Sequence, residues 1–555
     1  MRLLPLLFLL LATAASGQRP DYFHRHTFTR ADTLRGALRP ERTSFDVSYY
    51  HVDIDLDIEA KSLSGTVRMD FTIEEPTERI QVDLFANMQL ERVMRGKEAL
   101  PFERDGNAVF IDLPTRMAVG TEASLTMHYH GEPLKAKNAP WDGGFVWKKD
   151  RNGAPWIGVA CEGTGASLWW PNKDHLSDEP DSLRLTVTVP QALMAVSNGN
   201  LRSVKQAPRK RKTYDWFVSY PINNYNLSLT VGDLVHFSDT YTARDGEALA
   251  LDYYVLSYNL EKAKKQFEQV KPMLACYEDY LGKYPFWDDG FAMVETPYLG
   301  MEHQSGIAYG NQYKRGYLGG MIPEDMDWDY IIIHESGHEY FGNSISVADH
   351  AEMWIHESFT TYLEAVYVEC HYGYEDAVRY LRGQREYIRN KSPLVGPLGV
   401  NFENFGSSDH YYKGAWFLQT LRHALNDDVQ WWAILKGFYQ QHERSIVDTQ
   451  DFIKYFNEAT GRDWTAVFEQ YLHHPKVPTL LYRFEQDGPD LVLSMRWRAD
   501  ATGFDLPVLI EAGRQRRLLY PKKEKATQVR LENVTRREFR ILVDRQLIQV
   551  QALED

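Results

Sequence analysis

Three residues at fixed spacing carry the first chemical signal. They are His334, Glu335 and His338, in the run Ile331-Ile332-Ile333-His334-Glu335-Ser336-Gly337-His338. In a helix, side chains four apart share a face, so both imidazoles can reach one ion. Glu335 lies about 100° round from His334, close enough to work on a water beside a metal without binding the metal itself. Two imidazoles and a carboxylate suit zinc, and a catalytic zinc site keeps one position open. The competing reading, two polar histidines on an exposed helix face, does not suit the three isoleucines that precede His334. They send the helix into a core, where imidazoles without partners would be costly.

The third ligand sorts the possibilities. A His-Glu-x-x-His-x-x-Gly-x-x-His site would need Gly at 341 and His at 344, but the chain has Phe341 and Ser344, which excludes that class. A second helix-like run, Trp354 to Glu364, offers Glu357 nineteen residues after His338. Glu364, two turns further on the same face, is placed to accept a hydrogen bond from a ligand histidine, or else is a solvated helix glutamate. One zinc per chain, on His334, His338 and Glu357, is the expectation.

Larger elements must position these residues. At 555 residues and ~100–200 residues per domain, the chain has room for three or four domains. Its 43% hydrophobic and 25% charged residues are globular composition. Val52, Ile54, Leu56 and Ile58 alternate with Asp53, Asp55 and Asp57, the pattern of a half-buried strand with a solvated acidic face rather than a calcium loop. The alternation recurs at Ile80-Val82-Leu84, Leu125-Met127-Tyr129 and Leu183-Leu185-Val187-Val189, so residues 18–240 read as all-β. From about Leu260 the period becomes helical, although Pro272 should kink or divide the first helix. Past Pro475 the strands return, at Leu491-Val492-Leu493, Val508-Leu509-Ile510 and Phe539 to Val543. The fold class expected is multidomain α+β: a β domain over 18–240, a mainly helical one over 241–475, and a small β module over 476–555.

The formal charge of −15 argues against a broad electrostatic grip on nucleic acid. Cys161, Cys276 and Cys370 have no Cys-x-x-Cys spacing, so a thiolate zinc site is out and at most one disulfide can form. Residues 1–17 read as a cleavable leader: Arg2, then an almost wholly apolar run from Leu3 to Ala15, then the small residues Ala15-Ser16-Gly17. That run is too short to cross a bilayer. An exported protein, periplasmic or extracellular and without a membrane span in its mature form, is expected.

His-Glu-x-x-His followed by eighteen residues and Glu resembles the aminopeptidase N-type zinc metallopeptidases, which are gluzincins. Three further stretches resemble the same family. Leu299-Gly300-Met301-Glu302-His303 is similar to its exopeptidase motif, Gly-Ala-Met-Glu-Asn, and Tyr411-Tyr412-Lys413-Gly414-Ala415 to the segment that holds its catalytic tyrosine. Cys161-Glu162, with Trp170-Pro171 to Asp178-Glu179-Pro180, resembles its substrate-facing strand and acidic-proline segment. The departures are His303 for the usual Asn, Glu339-Tyr340 for Gln-Trp, and His356 and Ser358 flanking Glu357 in place of Asn and Gly. None removes a ligand or the base.

The resemblance implies an N-terminal saddle-like β domain, a thermolysin-like catalytic domain and a C-terminal β-sandwich. It also implies an exported, bacterial-like member without the long C-terminal helical domain of larger relatives, hence a more open cleft. The implied activity removes single N-terminal residues from peptides with a free N-terminus. Zinc-activated water attacks the first peptide bond, Glu335 is general base, and Tyr411 stabilises the oxyanion. Glu302 and Glu162 would hold the substrate amine, with Gly300, Met301 and His303 as the substrate-binding loop and Glu364 supporting a ligand histidine. Two alternatives are another hydrolase activity on the same site, endopeptidase or epoxide hydrolase, and a secreted peptide-binding protein with a structural zinc.

Overall fold

The computed structural model describes residues 22–403 and 405–553; the leader read at 1–17 lies outside them. The alternating segments form strands as expected. Phe45–Asp57 buries Val52, Ile54 and Leu56 and exposes Asp53, Asp55 and Asp57. It sits inside an eight-stranded sheet, paired in parallel with Ser182–Pro190 and antiparallel with Ser62–Ile73. A four-stranded sheet packs under it and includes Pro155–Ala160, the strand that runs into Cys161-Glu162.

The central part combines a five-stranded sheet with helices. The strand order by residue is Leu234–Thr242, Ala248–Leu256, Phe291–Glu295, Ile307–Tyr309 and, at the edge, Gly300–Met301. The first strand crosses residue 240 yet pairs only into this sheet. We therefore propose that the first division lies near residue 233 rather than at 240. Helix Leu260–Gln266 gives way to a tight turn at Phe267–Gln269 before Val270–Tyr280. Pro272 thus falls in a first turn, where its missing N–H leaves no bond unmade.

Helix Trp354–Tyr372 runs through the centre, buried from Trp354 to Val368. A disulfide ties its Cys370 to Cys276 of Val270–Tyr280, while Cys161 is free and buried. The last part forms a four-stranded and a three-stranded sheet. Its Leu480, Leu493 and Trp497 share one core with the helices, so this module buttresses the helical part.

Candidate active site

Helix Tyr330–Gly337 carries His334 and ends on His338 as its C-cap, and its start is pinned. Asp329 caps it, accepting from the Ile331 and Ile332 amides at 3.0 and 3.4 Å. The same carboxylate accepts from the Tyr309 hydroxyl and the Asn311 amide, each at 2.7 Å. The helix is thereby fixed to the central sheet, and Ile331, Ile332 and Ile333 are buried as the sequence requires. Gly300, on the edge strand, passes so close that a Cβ there would lie 2.5 Å from Glu335 Oε1. A side chain at this position would have to displace Glu335 or Ile331.

His334, His338 and Glu357 converge. The two Nε2 atoms are 3.2 Å apart, and Glu357 Oε2 lies 3.6 Å from one and 3.4 Å from the other. His338 Nδ1 lies 3.0 Å from the Phe341 carbonyl, which can only accept, so that nitrogen carries the proton and Nε2 a lone pair. His334 Nδ1 lies 2.6 Å from Glu364 Oε1, with the same consequence. Three electron pairs therefore face one another in a buried space, and Glu357 Oε2 has no hydrogen-bond partner. A metal cation would relieve that arrangement. Tetrahedral ligands at ~2.0–2.2 Å from zinc stand roughly 3.3–3.5 Å apart, so the set fits the ion.

Glu364 is no solvated residue. It is fully buried and accepts also from Tyr380 Oη at 2.5 Å and Gln384 Nε2 at 3.0 Å. Tyr411, on helix Asp409–Leu425, donates its hydroxyl to Glu357 Oε1 at 2.7 Å. Burial raises its pKa well above the phenol range, with Glu357 adding to the effect, so it stays a donor.

A cleft of about 270 Å³ opens over these groups, lined also by Glu162, Gly163, Gly300, Met301 and Glu302. Glu302 accepts from the Tyr225 hydroxyl at 2.9 Å. Glu302, Glu335 and His338 present ligand atoms within 4.8 Å of one another. Glu162 lines the cleft beside Glu302. Its carboxyl is pushed well above the usual range by burial and then by the charges of Glu302, Glu357 and Glu335. Two carboxyls lining one cleft make a site that a cationic group can occupy. Burial also pushes Glu335 up to about 7, with Glu302 and Glu357 adding to the shift and both histidines opposing it.

One expected residue is absent from the cleft. His303 is buried behind the loop, and burial lowers its pKa to about 3. Of that expected loop, Gly300, Met301 and Glu302 line the cleft. The other departures are structural. Glu339 accepts from the Ser305 amide at 2.8 Å, and His356 Nε2 accepts from the Val347 amide at 3.1 Å.

Sequence reading missed Trp141, His350, Met353, Glu403, Phe405 and His410, which complete the lining. Ser358, noted only as a departure beside Glu357, donates its hydroxyl to the His410 carbonyl at 2.6 Å. The signal for that contact was Gly414, where a Cβ would lie 1.7 Å from Ser358 Oγ.

Residues 47–225 match the Peptidase M1 N-terminal domain, and residues 265–471 the Peptidase family M1 domain. Aminopeptidase N of Escherichia coli (strain K12) is 23% identical over 326 residues, covering 55% of this chain and 36% of that protein. Aminopeptidase B of Homo sapiens is 24% identical over 489 residues, covering 79% and 71%. The chain thus spans about a third of the length of the bacterial relative. In fold it is similar to an M1 zinc metallopeptidase from Deinococcus radiodurans, with a TM-score of 0.66 at 19% identity over 78% of this chain and 94% of that one. Together the two domain matches take in more than half of the 555 residues, and the chain belongs to peptidase family M1.

Proposed function

We propose that this protein is a zinc-dependent aminopeptidase that removes single N-terminal residues from peptides. One observation carries the reading: the carboxylates of Glu302 and Glu162 line the cleft together with His334, His338 and Glu357, with ligand atoms of Glu302, His338 and Glu335 within 4.8 Å of one another. That spacing suits an ammonium group one residue from the bond to be cut. The names of the relatives, aminopeptidases N and B, support it.

His334, His338 and Glu357 would hold zinc, which when bound supplies Lewis acidity and an acidified water. The remaining work falls to the chain. Glu335 takes the water proton and returns it to the leaving nitrogen. Tyr411 turns its hydroxyl from Glu357 to the oxyanion that develops at the carbonyl. Glu302 and Glu162 hold the ammonium and so fix the register of the peptide. Glu364 keeps His334 in the tautomer that leaves Nε2 free.

We also infer export. The leader-like residues 1–17 motivate this, and the Cys276–Cys370 disulfide suits an oxidising compartment. No helix among the described residues is long and apolar enough to cross a membrane. A panel of aminoacyl-arylamides, with and without chelator, tests the activity. Hydrolysis that chelation abolishes and zinc restores is expected. No hydrolysis of any member by fully zinc-loaded protein would contradict the reading.

A further inference from the structure

Helix Arg30–Gly36 lies in the polar lead-in, ahead of every motif that the sequence offers. Most of it belongs to the N-terminal β domain. Leu34 packs with Ala108 and Phe110, and Arg30 reaches Asp105 at 2.7 Å. The buried Arg42 holds the Leu34 carbonyl at 3.0 Å.

Its last turn meets the cleft. Arg35 donates from one guanidinium nitrogen to the Gly163 carbonyl, and from another to Glu403 Oε1 at 2.9 Å. Gly163 follows Glu162, and both Gly163 and Glu403 line the cleft. Asn401 repeats the link, donating to the same carbonyl at 3.3 Å and the same carboxylate oxygen at 3.0 Å. The backbones nearly touch: a Cβ on Gly36 would lie 2.2 Å from the Asn401 nitrogen.

The turn so held needs holding. Gly163 and Gly165 have φ of +71° and +99°, conformations that glycine enters without side-chain restraint. Arg35 and Glu403 side chains are 24% and 41% exposed, so as an ion pair they add little stability. What the pair supplies is direction, because a planar guanidinium fixes the angle between two acceptors.

We propose that Arg35 is a positioning residue for the substrate amine. By fastening the Gly163 carbonyl to Glu403, it sets the turn that presents Glu162 to the cleft. The inference rests on the aminopeptidase reading, since only there does Glu162 receive an ammonium group.

The test compares Arg35→Met and Arg35→Lys, each alone and with Glu162→Gln, in the full chain. Arg35→Met should keep its zinc and raise KM for aminoacyl-arylamides about tenfold, with kcat within about threefold. Arg35→Lys, which has the charge without the fork, should recover only part of that loss. In the Glu162→Gln background, Arg35→Met should change KM less than about twofold, since the route through Glu162 is already gone. An unchanged KM in Arg35→Met, or the same tenfold rise in both backgrounds, would overturn the proposal.

Hydrogen exchange of the segment 161–166 gives a reading independent of turnover. It should quicken at least about tenfold in Arg35→Met, and native-like protection would overturn the positioning role. If the native chain hydrolysed no substrate, the aminopeptidase reading would fall while exchange still judged Arg35.

Discussion

The Tyr411 hydroxyl lies 2.7 Å from Oε1 of Glu357, so the group we propose to steady the oxyanion waits on a carboxylate of the candidate metal set. Neighbouring residues set this contact. Ser358, next to Glu357, donates to the carbonyl of His410, next to Tyr411, at 2.6 Å. Two adjacent pairs thus run in register between the two helices. A tyrosine held this way can turn to a new acceptor with little motion of its backbone.

Tyr411→Phe removes that hydroxyl and little volume. The protein should fold and keep its zinc, while kcat falls ~10²–10³-fold. KM should move far less, because the bond strengthens only in the transition state. Steady-state kinetics decide the matter: a tenfold rise in KM at unchanged kcat would make Tyr411 a binding residue.

The ligand and base roles separate by metal content. His334→Ala and His338→Ala should lose both zinc and activity, because each removes one of the three converging electron pairs. Glu335→Gln should lose activity and keep zinc, since Glu335 lies outside the His334, His338 and Glu357 set. Elemental analysis checks both. Full occupancy in His338→Ala, or none in Glu335→Gln, would reverse the assignments.

The acid side of the pH profile should report Glu335. Burial pushes its carboxyl up to about 7, and a base works only when ionised, so kcat/KM rises with pH through its pKa. A bound dication favours the carboxylate and moves the limb to pH 7 or below. A kcat/KM profile that fell with rising pH across roughly pH 5–7 would contradict the role.

Gly414 tests the helix register. A Cβ there would lie 1.7 Å from Ser358 Oγ and 2.5 Å from its Cβ, so Gly414→Ala must push the helices apart. A cost of ~1–3 kcal/mol in thermal unfolding, as for other overpacked cores, is expected, with a loss of activity. Ser358→Gly in the same chain should relieve both. Failure of that rescue would mean that the clash lies elsewhere.

Much of the site was legible because it is written in short-range spacing. His334 and His338 share a face by helix geometry alone, and Glu364 follows Glu357 by two turns. The alternation at Val52 to Ile58 likewise reported a strand buried on one side. What was not legible depends on chain segments far apart. Arg35 meets Glu403 across 368 positions, and Ser358 meets His410 across 52. Neither leaves a periodic trace. Cys276 and Cys370 pair only because two helices cross there. The burial of His303 was not legible either, because a motif fixes residue order without telling which way the next side chain points. The pairing of Leu234–Thr242 into the central sheet was not legible because alternation marks a strand and not the sheet it joins.

The central claim is that the cleft holds a free N-terminal amine one residue from the zinc. Glu302→Ala should therefore cut kcat/KM at least about tenfold with zinc retained, since a charge-assisted hydrogen bond contributes ~1.5–3 kcal/mol. The most direct measurement takes one peptide, free or N-acetylated, and follows it by mass spectrometry with the native enzyme. Stepwise loss of single residues from the free form and no cleavage of the acetylated one are expected. Internal cleavage of both forms at similar rates would contradict it.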